Sequence, residues 1–357
     1  MTDDMRPTPK LSNPDEVRQR LENWLAEVVY PGARLRISEF DIPENNGMSN
    51  ITVMLSCEFD GEECREMVGR LQAQGDTLVF PEYDLPLQYA VMAMLGDVPG
   101  IAVPTLVALE SSGQVLGMPF YLMEKTPGLI PPDIPPYHMD GWVCEASVAE
   151  RRQLWHAGID MMAAVHNLPV DQPPLNTFID EHQFPKTLAE QLAYWRHYLS
   201  WALGDRRSPG CETLLAWLEA NRPTEQTCRL CWGDSRMANV IFTEDKSQVA
   251  ALLDWEMLCM GDPLQDVAWW IFMDEMFSHG LGVPPLEGIP GRQQSVQRWC
   301  DKTGLSADEL HYYLVFAGMR ISIMLARMSL VTGDGSMVEG GFAIDYSLRV
   351  MNEVTAE

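Results

Sequence analysis

Two periodicities divide the chain. From Leu35 to Leu71, apolar and polar residues alternate in short runs: RLRISEFDI, SNITVMLSCEF and EMVGRL. These runs are rich in β-branched and aromatic residues and are broken by PENNGM and DGEE. Alternation sends successive side chains to opposite faces, so the pattern predicts strands. Before them, NPDEVRQRLENWLAEVV predicts a helix with Asn13 as N-cap, Pro14 at its first position and Glu16 at its third. After them, LPLQYAVMAML predicts an apolar helix. IAVPTLVALE and PFYLMEK predict two further strands joined by the turn SSGQVLG. A mixed sheet with one inserted helix therefore closes near Lys125. Residues 1–12 are expected to be a flexible tail.

The segment TPGLIPPDIPPYH follows, dense in Pro and Gly, and marks a linker. Beyond it the period becomes helical, in SVAERRQLWHAGIDMMAAVHNL, TLAEQLAYWRHYLSWAL, CETLLAWLEAN and ELHYYLVFAGMRISIMLARMSL. One hairpin interrupts the helices, with NVIF and VAALLDWE flanking TEDKSQ. The predicted fold class is α+β: a small β-rich N-lobe over 13–125, a short hinge, and a larger α-rich C-lobe over 126–357.

Composition narrows the function without naming it. The chain has 357 residues, 46% of them hydrophobic, which suffices for two lobes with a large core. It carries 25 Lys and Arg against 51 Asp and Glu, a net charge of −26. No basic stripe is present, so neither nucleic acid nor an anionic membrane is an expected partner. No stretch is expected to span a membrane, and the first residues show no apolar signal core. The eight cysteines are scattered, as in a reduced, cytoplasmic protein. Cys228 and Cys231 form a CxxC pair with no second pair at zinc spacing, so packing is their expected role. Oligomeric state is not legible.

The stretch CWGDSRMANVIF carries candidate chemistry. Four residues separate Asp234 from Asn239, which lets a loop curl so that both side chains face one cavity. The hairpin that follows returns the chain through VAALLD and brings Asp254 beside them. An Asn and an Asp suit Mg²⁺, which favours a few carboxylate or carbonyl oxygens plus phosphate and water. A further Asp is then left to accept a hydroxyl proton, as phosphoryl transfer to an alcohol requires. Arg236 is placed to reach the transferred phosphoryl group. The plainer alternative is a polar turn before a hairpin, where Gly, Asp, Ser and Asn are common anyway. Downstream, Asp262, Pro263 and Gln265 predict the N-cap, first and third positions of another helix. Asp266, in its first turn, is expected to brace the loop around Asp234.

The run LCWGDSRMANVIF…VAALLDWEMLCMGDPLQDVAW resembles the aminoglycoside phosphotransferase and choline kinase-like family. It looks nearest the branch also found as kinase-like domains fused to acyl-CoA dehydrogenases. The resemblance extends over most of the chain, through NNGMSNITVML, GMPFYLMEKTPG and AAVHNL, although only the loop-to-DPLQD run is specific. It implies a protein kinase-like fold, ATP and Mg²⁺ as cofactors, and a small-molecule alcohol as acceptor. It implies Asp234 as catalytic base, Asn239 and Asp254 as Mg²⁺ ligands, and Arg236 as a cationic phosphate contact. Main-chain groups near Met123, Glu124 and Lys125 would hold adenine, and His166 would support the catalytic loop.

Several positions depart from that pattern. No Lys occurs between Lys10 and Lys125, so the phosphate-holding lysine of such folds is replaced, with Arg70 as the candidate. Gln88 stands where its acidic helix partner is expected. The nucleotide-covering loop has one glycine, Gly47, with Ser49 as a possible phosphate contact. Trp232 replaces a His and is expected to support the loop by packing. These departures keep two functions open, a small-molecule kinase and a catalytically silent nucleotide- or ligand-binding protein. For the acceptor, the aromatic, Met-rich helices bearing Arg196, Arg320 and Arg327 suit a polycation poorly. An apolar hydroxylated compound such as a hydroxyacyl compound fits at least as well as an aminoglycoside.

Overall fold

The computed structural model describes residues 11, 13–43, 49–61, 63–75, 77–224 and 227–353. The expected tail, Leu11 apart, and Gly47 lie outside the described residues. The described chain falls into two compact units.

One unit holds the described residues up to Asp97 together with Pro104–Thr126. Helix α1 (Pro14–Trp24) runs into a π-helical turn at Leu25–Val29. Asn13 stands at the N-cap position as expected, but its side chain makes no capping bond: it takes a left-handed conformation at φ 57°, and its amide donates to Glu16 at 2.8 Å. Strands β1 (Leu35–Asp41), β2 (Asn50–Phe59) and β3 (Glu63–Gln72) follow, then α2 (Leu85–Gly96), β4 (Leu106–Glu110) and β5 (Phe120–Glu124). They form a five-stranded antiparallel sheet in the order β1-β2-β3-β5-β4. One face of the sheet and α1 enclose a core of Leu21, Leu25, Val53, Leu55, Phe120 and Leu122. Gly69 lets β3 lie close to its neighbours, because a Cβ there would meet Val53 at 2.6 Å.

The strand expected over 101–110 is only half present. Pro104 lacks an N–H for a ladder and restricts Val103, so regular pairing starts at Leu106. Residues Val98–Val103, expected in the N-lobe, sort with the second unit, where Ala102 accepts a bond from Leu252 at 2.9 Å.

That second unit continues from Pro127. It contains α3 (Trp142–Glu145), α4 (Val148–His166), α5 (Leu175–Glu181), α6 (Leu188–Leu203) and α7 (Pro209–Ala220). Short strands β6 (Arg229–Cys231), β7 (Val240–Phe242), β8 (Val249–Leu252) and β9 (Cys259–Gly261) come next. Helices α8 (Leu264–Glu275), α9 (Arg292–Thr303), α10 (Leu310–Val331) and α11 (Phe342–Met351) complete it. Strands β7 and β8 form the expected hairpin, while β6 pairs with β9 and brings Cys231 opposite Cys259. Helix α10 corrects one expectation: it is long and apolar enough to cross a membrane. Most of it is buried inside this unit, against α6, α7, α8 and α11, which accounts for its apolar surface.

Candidate active site

The loop after β6 is held by one buried carboxylate. Asp266, in the first turn of α8, accepts the backbone N–H of Trp232 at 2.6 Å and of Gly233 at 2.9 Å. His166, at the end of α4, donates its Nε2 proton to Asp266 at 3.0 Å. Its Nδ1 accepts from the Trp299 indole at 3.0 Å, which sets the tautomer. Asp266 and His166 are fully buried, so each bond replaces water that neither group can reach. Ser235 ties the loop to α8 again, donating to the Asp266 carbonyl at 2.8 Å. Helix α8 starts one residue later than expected: Asp262 still caps it, accepting the N–H of Leu264 at 2.9 Å, but Pro263 precedes the helix.

Gly233 makes the turn possible. Its φ is +92°, and a Cβ would lie 2.0 Å from the Met257 carbonyl oxygen. Trp232 is buried, donates Nε1–H to the Leu253 carbonyl at 2.7 Å, and packs against Trp255 with ring centroids 6.0 Å apart. It thus joins the loop to the chain just beyond β8.

Asp234 is 8% exposed, and both carboxylate oxygens are engaged. The Trp269 indole donates to Oδ1 at 2.8 Å, and the Asn239 amide donates to Oδ2 at 2.7 Å. Arg236 Nε lies 3.2 Å from Oδ1 and 3.3 Å from Oδ2. A carboxylate has about four lone-pair sites, so these donors orient Asp234 and still leave room for a substrate hydroxyl.

Asn239 spends its amide N–H₂ on Asp234, to the carbonyl at 2.9 Å as well as to Oδ2, and so presents its own amide oxygen elsewhere. The β7–β8 register pairs Val240 with Leu252, and Leu253 donates to the Asn239 carbonyl at 2.9 Å. That register brings Asp254 alongside Asn239. Asp254 is half-buried at φ 55°, a left-handed conformation that Asp tolerates better than most residues. One amide oxygen and one carboxylate form a hard oxygen set that fits Mg²⁺. Among the described residues no three His, Cys, Asp or Glu could hold a metal by themselves. A cation here would therefore complete its shell with water and phosphate oxygens.

Arg236 is largely buried between Asp234 and Asp133, with Nη1 2.7 Å from Asp133 Oδ1. Burial is the largest single influence on its pKa and lowers it, but Asp133, Asp234 and Asp254 together outweigh that and raise it. The guanidinium is therefore always charged. Beside it is a small pocket lined by Asp133 and Tyr137 from the Pro-rich segment, Met237 and Ala238 from the loop, and Trp270, Met273, Asp274 and Phe277. Asp274 accepts from Tyr137 and pairs with His138 Nε2 at 2.9 Å. Burial, with Asp274 adding to it, pushes the Tyr137 phenol well above its usual range.

The candidate residues of the sheet unit occupy their own environment. Arg70, on β3, is 7% exposed and donates to the Thr52 hydroxyl at 2.8 Å. Its neighbour across the ladder is Tyr121, whose ring meets Tyr89 of α2 at 6.0 Å. Gln88, next to Tyr89, is buried, as is Ser49 just before β2. The N–H groups of Glu124 and Lys125 already donate to Thr105 at 2.8 Å and Glu66 at 3.0 Å. Among these residues, an adenine would therefore have to rely on other main-chain groups. Met123 is buried, Glu124 and Lys125 are exposed, and the Lys125 ammonium pairs with Glu66 at 3.0 Å.

Three participants leave little trace in the sequence. Asp133 and Tyr137 lie in the segment taken only as a linker, and Trp269 lies in an apolar run that looks like core. The two consecutive tryptophans of DVAWW hold the one visible signal, since an indole N–H needs a partner when buried. Of the arginines expected near an acceptor, Arg320 meets the loop, at the Gly233 carbonyl. Arg196 is exposed and pairs with Glu219, and Arg327 lies over the Trp201 ring at 4.4 Å.

A family model described as the phosphotransferase enzyme family matches residues 65–300. Acyl-CoA dehydrogenase family member 10 of Mus musculus is 27% identical over 269 residues, which is 73% of this chain and 24% of that protein. The chain thus spans about a quarter of the length of that relative. Among solved structures, a putative aminoglycoside phosphotransferase from Ralstonia eutropha aligns with a TM-score of 0.64 at 21% identity, covering 93% of this chain and 98% of that one. A thermostable mutant of an aminoglycoside phosphotransferase, in ternary complex with ADP and hygromycin B, aligns with a TM-score of 0.56 at 14% identity over 94% of this chain and 99% of that one. These likenesses show an α+β, protein kinase-like fold.

Proposed function

Because the chain belongs to the phosphotransferase enzyme family, we propose that it moves the γ-phosphate of ATP to a hydroxyl of a small molecule, with Mg²⁺. The observation that carries this reading is the convergence of Asp234, Asn239 and Asp254 on one loop and hairpin. The ADP held by the structurally similar hygromycin complex supports a nucleotide as co-substrate.

Asp234 is the base in this reading. It accepts the acceptor's hydroxyl proton as the oxygen attacks the γ-phosphorus, and ADP leaves. Trp269 and Asn239 fix its rotamer, so attack starts from an aligned carboxylate. Asn239 and Asp254 would hold Mg²⁺, which neutralises charge between phosphates when bound. Arg236 supplies a permanent positive charge beside the base. Its charge is partly offset by Asp133, so it acts as an anchored contact rather than a mobile one. On the sheet unit, Arg70, Ser49 and Gln88 are the candidates for phosphate contacts. Arg70 already has Thr52 as a partner, which orients a planar fork suited to phosphate.

The acceptor is an apolar alcohol in this reading, supported by Met237, Ala238, Trp270, Met273 and Phe277 beside Arg236. The pocket's two carboxylates are already engaged, Asp133 with Arg236 and Asp274 with Tyr137 and His138, so a hydroxyacyl compound fits it at least as well as an aminoglycoside does. The test is transfer from γ-labelled ATP to a panel holding hydroxyacyl compounds and kanamycin-type aminoglycosides. Robust aminoglycoside turnover with none on hydroxyacyl compounds would contradict the apolar preference. The competing function, a silent nucleotide binder, draws on Gln88 as an uncharged partner for Arg70. It predicts thermal stabilisation by MgATP with no transfer to any alcohol.

A further inference from the structure

Arg320 takes no part in the chemistry above and Trp269 enters it only as a donor to Asp234, yet Arg320 meets both Trp269 and the loop that carries Asp234. Arg320 lies within α10 and is 2% exposed. Among the described residues no carboxylate stands within ion-pairing distance of it, and its Nε has no acceptor. A guanidinium withdrawn from water without a carboxylate is destabilising unless something else meets its charge. Here aromatic faces do so. Its Cζ lies 4.2 Å from the Trp269 ring centroid, 5.5 Å from Phe316 and 5.7 Å from Trp195. One Nη also donates to the carbonyl of Gly233, the residue before Asp234.

Trp269 carries the contact onward. Its indole N–H meets Asp234 Oδ1 at 2.8 Å while its ring receives the guanidinium. A cation on the face of an indole draws electron density from the ring and strengthens its N–H as a donor. Trp270, the next residue, shows the contrast: its ring packs on Gly158 and its N–H has no acceptor. Filling space would need only a phenyl ring at 269, so the aimed N–H is the informative feature.

We propose that Arg320 and Trp269 are positioning residues for Asp234: the indole N–H holds Oδ1, and Arg320 holds both the indole and the Gly233 carbonyl. The carboxylate is thereby locked from two sides, with one lone-pair site left for the acceptor hydroxyl. The inference rests on Asp234 being the base.

Trp269→Phe in the full chain keeps a ring beneath Arg320 and removes only the N–H. It should lower kcat by about tenfold to a hundredfold, with the KM for ATP changed less than about twofold. A packing defect would instead lower the melting temperature and disturb both constants. The second readout needs no turnover. In an amide and indole proton–nitrogen spectrum, the signal lost in Trp269→Phe should lie downfield. It should move upfield in Asp234→Asn and shift again in Arg320→Met. If Arg320→Met does not fold, Arg320→Lys, which loses the planar fork, takes its place with the same shift expected. Full kcat in Trp269→Phe, or an indole signal unmoved by both other substitutions, overturns the proposal. Failure of the kinase reading looks different: the wild-type protein transfers no phosphate, while the indole signal still reports whether Asp234 and Arg320 hold Trp269.

Discussion

Asp234 and Asp266 are both buried acids, and the donors around them separate their tasks. Asp234 is met by side-chain donors, Trp269 and Asn239, and keeps a lone pair for a substrate. Asp266 is met by two backbone N–H groups and His166 and is fully buried, so it presents no oxygen to a substrate. Asp234→Asn should therefore cut phosphate transfer by a factor of about 10² to 10⁴ while MgATP still raises the melting temperature. Unchanged transfer in a labelled-ATP assay would remove Asp234 as the base. Asp266→Asn should act on folding: turning an amide N–H₂ toward these donors leaves buried groups unpaired, a loss of about 3 kcal/mol in denaturant unfolding. The types and spacing of Asp234, Asn239 and Asp254 were legible in the sequence because a short loop and a hairpin constrain them locally. Asp133, over a hundred residues before Arg236, was not, since no local pattern records an ion pair across that separation.

Among the elements, α4 and α8 show how the loop's frame is kept. Gly158 of α4 faces Trp270 of α8, and a Cβ there would lie 2.2 Å from the indole ring. Because the ring is rigid and buried, Gly158→Ala must push the helices apart, destabilising by about 1–3 kcal/mol or more, as chemical denaturation would register. The start of α4 carries a capping box in which Ser147 and Glu150 satisfy each other's backbone N–H. Ser147→Ala should destabilise by about 1 kcal/mol. Lys246, then the Ser147 N–H, hold Glu150 down to a pKa of about 2. A carboxyl lowered on folding stabilises above its unfolded pKa, and that contribution fades as pH falls through the folded value. The stability gap between wild type and Glu150→Gln should therefore be full at neutral pH and close between about pH 4.5 and 2. A constant gap across that range, in denaturant titrations, would show that the ion pair is not formed. The capping box of α4 went unread, although caps are local and the helical run SVAERRQLWHAGIDMMAAVHNL opens on Ser147. The late start of β4 after Pro104 was readable in principle, but the apolar run on both sides of the proline masked it.

For the whole molecule, the net charge of −26 sets a background against which every local bond acts. Self-repulsion of that size is screened by salt, so raising sodium chloride from low concentration to about 0.5 M should raise the melting temperature. A flat or falling melting temperature in a salt series would mean that local ion pairs dominate instead. The division into two units followed from the change in hydrophobic period, from two to about 3.6, which any chain must show when it passes from sheet to helix. The assignment of Val98–Val103 to the second unit did not follow, because the bond from Leu252 to Ala102 joins segments about 150 residues apart. By itself the sequence determined the α+β class, the main helices and strands, and a candidate phosphoryl-transfer loop whose residues lie within one hairpin of each other. These are short-range consequences of periodicity, capping and spacing. Only the tertiary structure decided that Asp133 shares Arg236, that the N–H groups of Glu124 and Lys125 are spent within the sheet, and that Trp269 and Arg320 converge on Asp234. Those contacts depend on how separate elements pack, and a buried side chain takes its partner from whichever element packing brings beside it.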